Sequence, residues 1–372
     1  MATPPEFVKI DPAAIEADLV ARYEAKSGKT LYPAQIERLF IDQIAYAKTL
    51  ALSAIQNAGE KLLVRFSGGP ILEYLGELVG TPRLQAQPAR CTQAFTLPAA
   101  QASAVSIKAG TRVATVDGKL FFYTESPLII PAGQLEGRAT IICETPGEAG
   151  NGWALGQIST LVAPAVEGMT TRNTSVSAGG AAQEEDEPYI ERIILAPESF
   201  STAGTEGGYI YHARAAHQDI VDVAVRGGEQ DPAVPAGEVW VYPLTKTGLP
   251  SAELLALVQA AISPKKKRPL TDKVVAKAPV EVPFVLTGSL ELYENADEQS
   301  TLAAARAAAA AYVATLRARM GVDIVPEQII ASLQVSGVYR VHLSSPAYRA
   351  LAGHEWANCT AINLPLFGTA HG

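Results

Sequence analysis

Cysteine is scarce in this chain. Cys91, Cys143 and Cys359 are the only three in 372 residues, they are widely spaced, and no C-x-x-C occurs. That composition excludes a disulfide framework or a cysteine zinc site, and it fits folding in a reducing compartment. Long hydrophobic runs are also missing. No apolar stretch approaches the ~20 residues that a membrane helix needs, so no membrane insertion is expected. The start, MATPPEFVKIDP, lacks the basic-then-apolar order of a secretory signal. An excess of positive charge is absent too. The net charge is -8 and the pI is near 5.3, which argues against nucleic acid as a partner. Aromatics make up 7% and charged residues 18%, against 48% hydrophobic residues. Such a chain buries sizeable cores, and its length suits about two to four domains.

The usual marks of catalysis are missing as well. The pairs Gly68-Gly69, Gly179-Gly180, Gly207-Gly208 and Gly227-Gly228 do not continue into a phosphate loop or a strand-flanked dinucleotide fingerprint. They read as joints and caps. There is no G-x-S-x-G elbow and no H-E-x-x-H. His212 and His217 are five apart, so on a helix they diverge by well over a right angle and cannot share a metal. The run Glu184-Glu185-Asp186-Glu187 lacks the alternating ligands of a calcium loop and reads as a solvated helix start. No catalytic residue, metal site or cofactor is expected, and the chain does not read as an enzyme.

What is present is an ordered series of local signals. Asp11 can cap a first helix with Pro12 in its first turn, and Ile15, Leu19 and Tyr23 share a face. A second helix from Pro33 carries an apolar stripe of Ile36, Leu39, Phe40, Ile44 and Leu50 that runs toward Ile55. Both helices are long for their apolar content, so they need another surface to pack on. A shorter helix around Ile71 to Val79 ends at Gly80. From Pro88 to about Val166 the chain turns to short β-prone runs, with an Asp117-Gly118 hairpin signal between TRVAT and KLFFYT. Helices and strands then alternate to the end.

The expected fold class is therefore multidomain α+β. Residues 1–88 form a helical segment suited to an inter-chain bundle, and 89–168 a small all-β domain. Residues 169–265 and 266–372 form two α+β domains. The basic run Lys265 to Arg268 reads as a loop facing an acidic neighbour. Arg268 and Asp272 bracket Pro269-Leu270-Thr271, so a guanidinium and a carboxylate can close that turn as a pair.

Several motifs, in order, resemble the baseplate J-like family of contractile-tailed phages and related injection machines. EYLGELVGTPR (Glu73 to Arg83) resembles that family's Leu-Gly helix followed by Arg. IKAGTRVATVDGKLFFYT (Ile107 to Thr124) is similar to its β-domain signature, with Lys108 in place of the usual Pro. PGEAGN (Pro146 to Asn151) resembles its exit turn. The strongest likeness lies between Gly179 and Arg226, where GG, EEDEPYIERI, AGTEGGYIYHA and DIVDVAV follow one another. Ile190 stands there where the family carries Arg. RPLTD (Arg268 to Asp272) follows its own family counterpart closely, and the last eighty residues match loosely.

The resemblance implies a structural wedge subunit of the baseplate of a contractile phage tail or tailocin. The protein would be made in the bacterial host cytoplasm, and it would act by assembly and shape change rather than chemistry. It implies as partners a second copy of the chain, a baseplate I-like tail protein, and a small lysozyme-like baseplate protein linked to the sheath. Neighbouring wedges in a six-fold ring complete the set. On that reading the stripe on the second helix packs against other chains, and Gly204, Gly207 and Gly208 are hinge candidates. The alternative, from another class, is a carbohydrate-binding or adhesin-like surface protein using the β domain. That would need exposed aromatics among Phe95, Phe121, Phe122, Tyr123 and Trp153. Phe121 and Tyr123 alternate onto one face and read as core-filling.

Overall fold

A computed structural model describes residues 3–201, 204–263 and 272–371. The chain divides into two compact units. One comprises Met1–Arg83 with Glu185–Ala196, and the other Leu84–Glu184 with Pro197–Gly372.

The first unit is helical. Helix α1 (Pro12–Ser27) starts as the sequence predicts, with the Asp11 carboxylate accepting from the Ala14 N–H at 3.0 Å. Gly28, at φ 70°, ends it in the left-handed conformation. Helix α2 (Ile36–Lys61) runs back beside α1. Its inner face is thin, since only Ile41 and Ala45 are buried. The contact is supplemented by polar ties. Arg38 pairs with Glu16 on α1, and the Gln56 side chain accepts from the Phe7 and Val8 N–H groups. Helix α3 (Gly69–Leu78) closes in a Schellman arrangement. Thr81 N–H donates to Gly76 O at 2.9 Å and Gly80 N–H to Glu77 O at 3.0 Å. Helix α4 (Asp186–Leu195) packs on α3 around Leu72, Tyr189 and Ile193. The 169–265 range drawn from the sequence thus contains a segment that packs with the N-terminal helices.

The second unit begins with a nearly closed β structure. Its strands are β1 (Arg90–Thr96), β2 (Val105–Ile107), β3 (Arg112–Thr115), β4 (Phe121–Thr124), β5 (Leu128–Ile130), β6 (Glu136–Cys143), β7 (Ile158–Leu161) and β8 (Thr170–Asn173). Six form one antiparallel sheet in the order β7-β3-β4-β6-β1-β8, while β2 and β5 pair separately. Asn173 brings the two edges together by accepting from the Ile158 N–H through its side chain and the Gly156 N–H through its carbonyl. The β3–β4 hairpin turns at Asp117-Gly118 as predicted. Gly118 has φ 69°, and the Asp117 carboxylate accepts from the Thr115 hydroxyl and the Lys119 N–H. Those hydrogen bonds hold the Asp117 carboxyl below its usual range.

Two smaller α+β layers follow. Strands β9 (Ile220–Arg226), β10 (Glu238–Thr245) and β11 (Lys273–Ala276) make a three-stranded sheet with β10 at its centre. Helices α5 (Glu206–Arg214) and α6 (Ala252–Ile262) cover one face of it. The last layer is organised by the 14-residue strand β12 (Val280–Tyr293). Strand β13 (Val338–Ser345) pairs with it antiparallel, and β14 (Glu355–Asn363) and β15 (Leu366–Ala370) pair parallel to it. Helices α7 (Glu298–Arg317) and α8 (Pro326–Leu333) pack on this sheet through Ala305, Ala309, Val313 and Ile329. The multidomain α+β class expected from the sequence is what the chain adopts.

Candidate interaction surface

Helix α2 carries its larger apolar side chains on the face turned away from α1. Ile36 is 70% exposed, Leu39 56%, Phe40 68%, Ile44 55% and Leu50 52%. Tyr46 and Ile55 are exposed beside them. Scattered exposed apolar residues are ordinary, but a continuous helical stripe is not. The burial pattern is inverted for a surface helix. Ala45, Thr49 and Gln56 face inward or sit half-buried beside Ile41, while most of the larger aliphatic and aromatic residues face out. The apolar face of α2 is thus left exposed in the single chain.

The acidic run opens helix α4 as its composition suggested, with Glu185 and Glu187 exposed, but its other two carboxylates are held. Glu184 is 4% exposed, and its carboxylate accepts from the Leu84 N–H at 3.0 Å. The backbones of the same two residues are also paired. Asp186 accepts from the Arg83 guanidinium at 2.5 Å and from the Gly69 N–H at 3.2 Å. The Arg83 hydrogen bond, helped by Gly69, holds the Asp186 carboxyl below the usual carboxylate range. Two of the four carboxylates are therefore structural acceptors. The charge run hid this because their partners lie about a hundred residues upstream.

Other motif residues turn out to be fixing points. Tyr189 is fully buried and donates from its hydroxyl to Thr81 O at 2.8 Å. The Arg83 and Arg192 guanidiniums lie over its ring, 4.6 and 5.6 Å from the centroid. Asn151 and Gly180 exchange two hydrogen bonds, Asn151 Nδ2–H to Gly180 O at 2.6 Å and Gly180 N–H to Asn151 Oδ1 at 2.8 Å. The exit turn PGEAGN and the following Gly-Gly pair are thus two halves of one lock. A Cβ at Gly180 would fall against Gly147 O and lie 2.9 Å from Asn151 Oδ1, so the close approach requires glycine. His217 is buried beyond the end of α5. Its ring takes the Asp219 N–H at Nδ1 and contacts Gly179 O through Nε2 at 3.1 Å. Ile190 packs beside Leu72, Tyr189 and Ile193.

The remaining predicted residues fall as follows. Arg268 lies outside the described residues. Asp272 accepts from the Tyr209 hydroxyl at 2.8 Å. Gly207 and Gly208 sit in the first turn of α5, capped by Thr205. A Cβ at Gly207 would meet Glu198 Cγ at 2.7 Å, so tight packing is a sufficient reason for that glycine. Gly204 has φ 73°, a backbone that side-chain-bearing residues rarely adopt. In the barrel, Phe95 and Phe122 are fully buried. Phe121 and Tyr123 are half-buried on the opposite face of β4, with the Arg112 guanidinium 4.2 Å from the Phe121 centroid. The core-filling reading of Phe121 and Tyr123 is therefore corrected, because the strand's alternation turns Phe122 inward instead. Burial pushes the Cys91 thiol up to about 12. Among the described residues no cluster of His, Cys, Asp and Glu could hold a metal ion, and no helix is long and apolar enough to cross a membrane.

Three family models match in succession along the chain. Residues 92–180 match the Baseplate J-like protein barrel domain, 201–278 the Baseplate J-like central domain, and 284–364 the Baseplate J-like protein C-terminal domain. The chain belongs to the baseplate J-like family. A baseplate J-like chain is a structural component of the tail baseplate. The C-terminal region, whose motifs resembled the family only loosely, is matched over residues 284–364. The Baseplate protein J of Escherichia phage P2 is 34% identical over 166 residues. That match takes in 45% of this baseplate J-like chain and 53% of the phage P2 protein, about half the length of each. A chain of the six-fold symmetrised baseplate of the anti-feeding prophage covers 94% of this chain, at 13% identity and a TM-score of 0.43.

Proposed function

We propose that this protein is a wedge subunit of a contractile-tail baseplate, working by assembly and change of shape. The observation that carries the reading is the uncovered stripe on α2. Ile36, Leu39, Phe40, Ile44 and Leu50 are each more than half exposed in the single chain. A cytosolic monomer would aggregate through such a face, whereas a bundle shared between chains would bury it. The partners that suit this role are a second copy of the chain and a baseplate I-like tail protein in the bundle. Beyond them come a small lysozyme-like baseplate protein linked to the sheath and neighbouring wedges in a six-fold ring. Gly204, close to the family-signature helix α5, is the candidate pivot, and an Arg268–Asp272 pair is the candidate tie in the RPLTD turn. Electron microscopy of the native particle tests the proposal. A six-fold plate holding this chain in two environments is expected, with α2 in a multi-chain bundle. A free oligomer in cell extract, with no tail attached, would overturn it.

A further inference from the structure

Strand β10 is buried on both faces from Val241 to Thr245. One face meets α5 and α6. The other meets Met320, beyond the end of α7, and Trp356, at the start of β14, and Trp356 sits at the centre of that contact. Trp356 is 3% exposed and clusters with Ala224, Tyr242 and Leu244 of the central sheet and with Met320. Its indole N–H donates to Arg317 O at 2.9 Å, which fixes the ring from its own side. On the other side the ring lies flush on Gly248, where a Cβ would meet Trp356 Cη2 at 2.8 Å.

Three further ties surround the tryptophan. The Asp222 carboxylate accepts from the Met320 N–H at 2.8 Å. The Arg226 guanidinium occupies the space where a Cβ on Gly353 would fall. His354 stacks on Tyr242, with centroids 5.1 Å apart and planes at 21°. The link between the two layers, residues 277–279, is itself held. Lys277 N–H donates to Val241 O at 2.9 Å, extending the pairing of β11 along β10, and the Lys277 ammonium lies over the Trp240 ring.

We infer that the central and C-terminal domains are locked by Trp356 into one rigid lever. On this view the region 220–363 does not bend at residues 277–279 when the baseplate changes shape. A large buried aromatic in a glycine-floored socket has one seat, and packed cores of this kind switch in discrete steps rather than deform gradually. Rotating the two layers apart would expose Trp356, Tyr242 and Leu244 together and leave the Asp222 carboxylate without the Met320 N–H.

The use of this lever in triggering rests on the baseplate reading, but the lock itself does not. In the free full-length chain, Trp356→Ala is expected to speed hydrogen exchange in both 220–245 and 318–324, on the order of a hundredfold. The 92–143 barrel amides should be unchanged. Trp356→Phe keeps most of the burial and should give a much smaller effect. Acceleration confined to 355–357 in both variants would overturn the lock. A second test tethers the two layers instead of loosening them. Asp222→Cys with Met320→Cys, in a Cys359→Ser background, is cross-linked in assembled particles. Cross-linked particles that contract normally on triggering support the lever. Particles that assemble but no longer contract, or pairs that cross-link in the free chain and not in the particle, overturn it. Absence of the chain from any tail particle would remove the baseplate reading and leave the exchange result standing.

Discussion

Gly76 offers the sharpest test of how the LGELVG motif works. It lies near the end of α3, where its carbonyl accepts from the Thr81 N–H at 2.9 Å. A Cβ at this position would fall on the Tyr189 hydroxyl oxygen, 2.8 Å from Tyr189 Cζ and 2.6 Å from Thr81 O. Replacing Gly by Ala in a helix would by itself be favourable by about 1 kcal/mol. Here that gain is opposed by overpacking, about 1–3 kcal/mol, and by displacement of the Tyr189–Thr81 hydrogen bond, roughly 0.5–1.5 kcal/mol. Gly76→Ala should therefore destabilise the α3–α4 contact by about 0.5–3.5 kcal/mol.

The hydroxyl can be removed separately. Tyr189→Phe should cost about 1 kcal/mol for the lost hydrogen bond. In that background Gly76→Ala loses its worst clash but keeps those with Thr81 O and the ring Cζ, so its cost should fall by roughly 1 kcal/mol. Global unfolding of a multidomain chain is not two-state, so the readout is hydrogen exchange in peptides 69–81 and 186–195. Each 1.4 kcal/mol appears there as about a tenfold change in rate. If Gly76→Ala slowed exchange, or cost the same with and without the Tyr189→Phe change, the hydroxyl would not be what excludes a side chain.

Other expectations are simpler. Phe40→Asp with Ile44→Asp should change the stability of the free chain within about 0.5 kcal/mol, since both sites are exposed. The same pair should abolish co-purification with partner chains and assembly of particles, and retained assembly would refute the role of the stripe. Arg83→Met should destabilise the α3–α4 contact above pH ~4, the unfolded-state value for Asp. Asp186 is held below its usual range in the fold, so the wild-type advantage should shrink as pH falls through that lowered value. Because the Asp186 side chain is 42% exposed, the ion pair should contribute no more than about 1 kcal/mol. An advantage that grows on acidification would reverse the sign of the argument. In native protein at neutral pH, a maleimide should label Cys359 but neither Cys91 nor Cys143, which are buried with raised thiol values; mass spectrometry would detect any labelling of the buried pair.

What was legible in the sequence is what local chemistry decides. The Asp11 cap, Pro12, the Gly80 stop and the Asp117-Gly118 hairpin all form as their residues require. The helical stretch 298–317 and the strand 280–293 are long and periodic enough to read directly. Strands β14 and β15 escaped notice for a physical reason. Of the nine residues in β14 only Trp356 and Ala357 are buried, and β15 has no buried residue. β14 shows no period-two burial, β15 alternates only between half-buried and exposed, and both exist because β12 is long enough to pair with them in turn. The partnership of α4 with α3 was equally invisible, since Tyr189 and Thr81 are 108 residues apart. The family resemblance identified the motifs without saying what each residue touches.

Those contacts explain why a chain without catalytic motifs still carries a specific signature. Tyr189 and Gly76, Asn151 and Gly180, and Glu184 and Leu84 are each pairs from distant segments, joined by a buried hydrogen bond or by an approach that excludes a Cβ. Each joint demands particular residues, because a buried polar atom must find its partner and a close backbone approach admits only glycine. The α2 stripe demands much less. Burial against other helices requires apolar side chains of about the right size at the right spacing, and isoleucine, leucine or phenylalanine can serve. Motif letters therefore mark where the chain is fixed to itself, and the surface proposed to join it to other chains shows only as a pattern. Substitutions should sort accordingly. Aliphatic exchanges at Leu39 or Leu50 should be tolerated in assembly, whereas alanine at Gly76 or Gly180 should destabilise the fold.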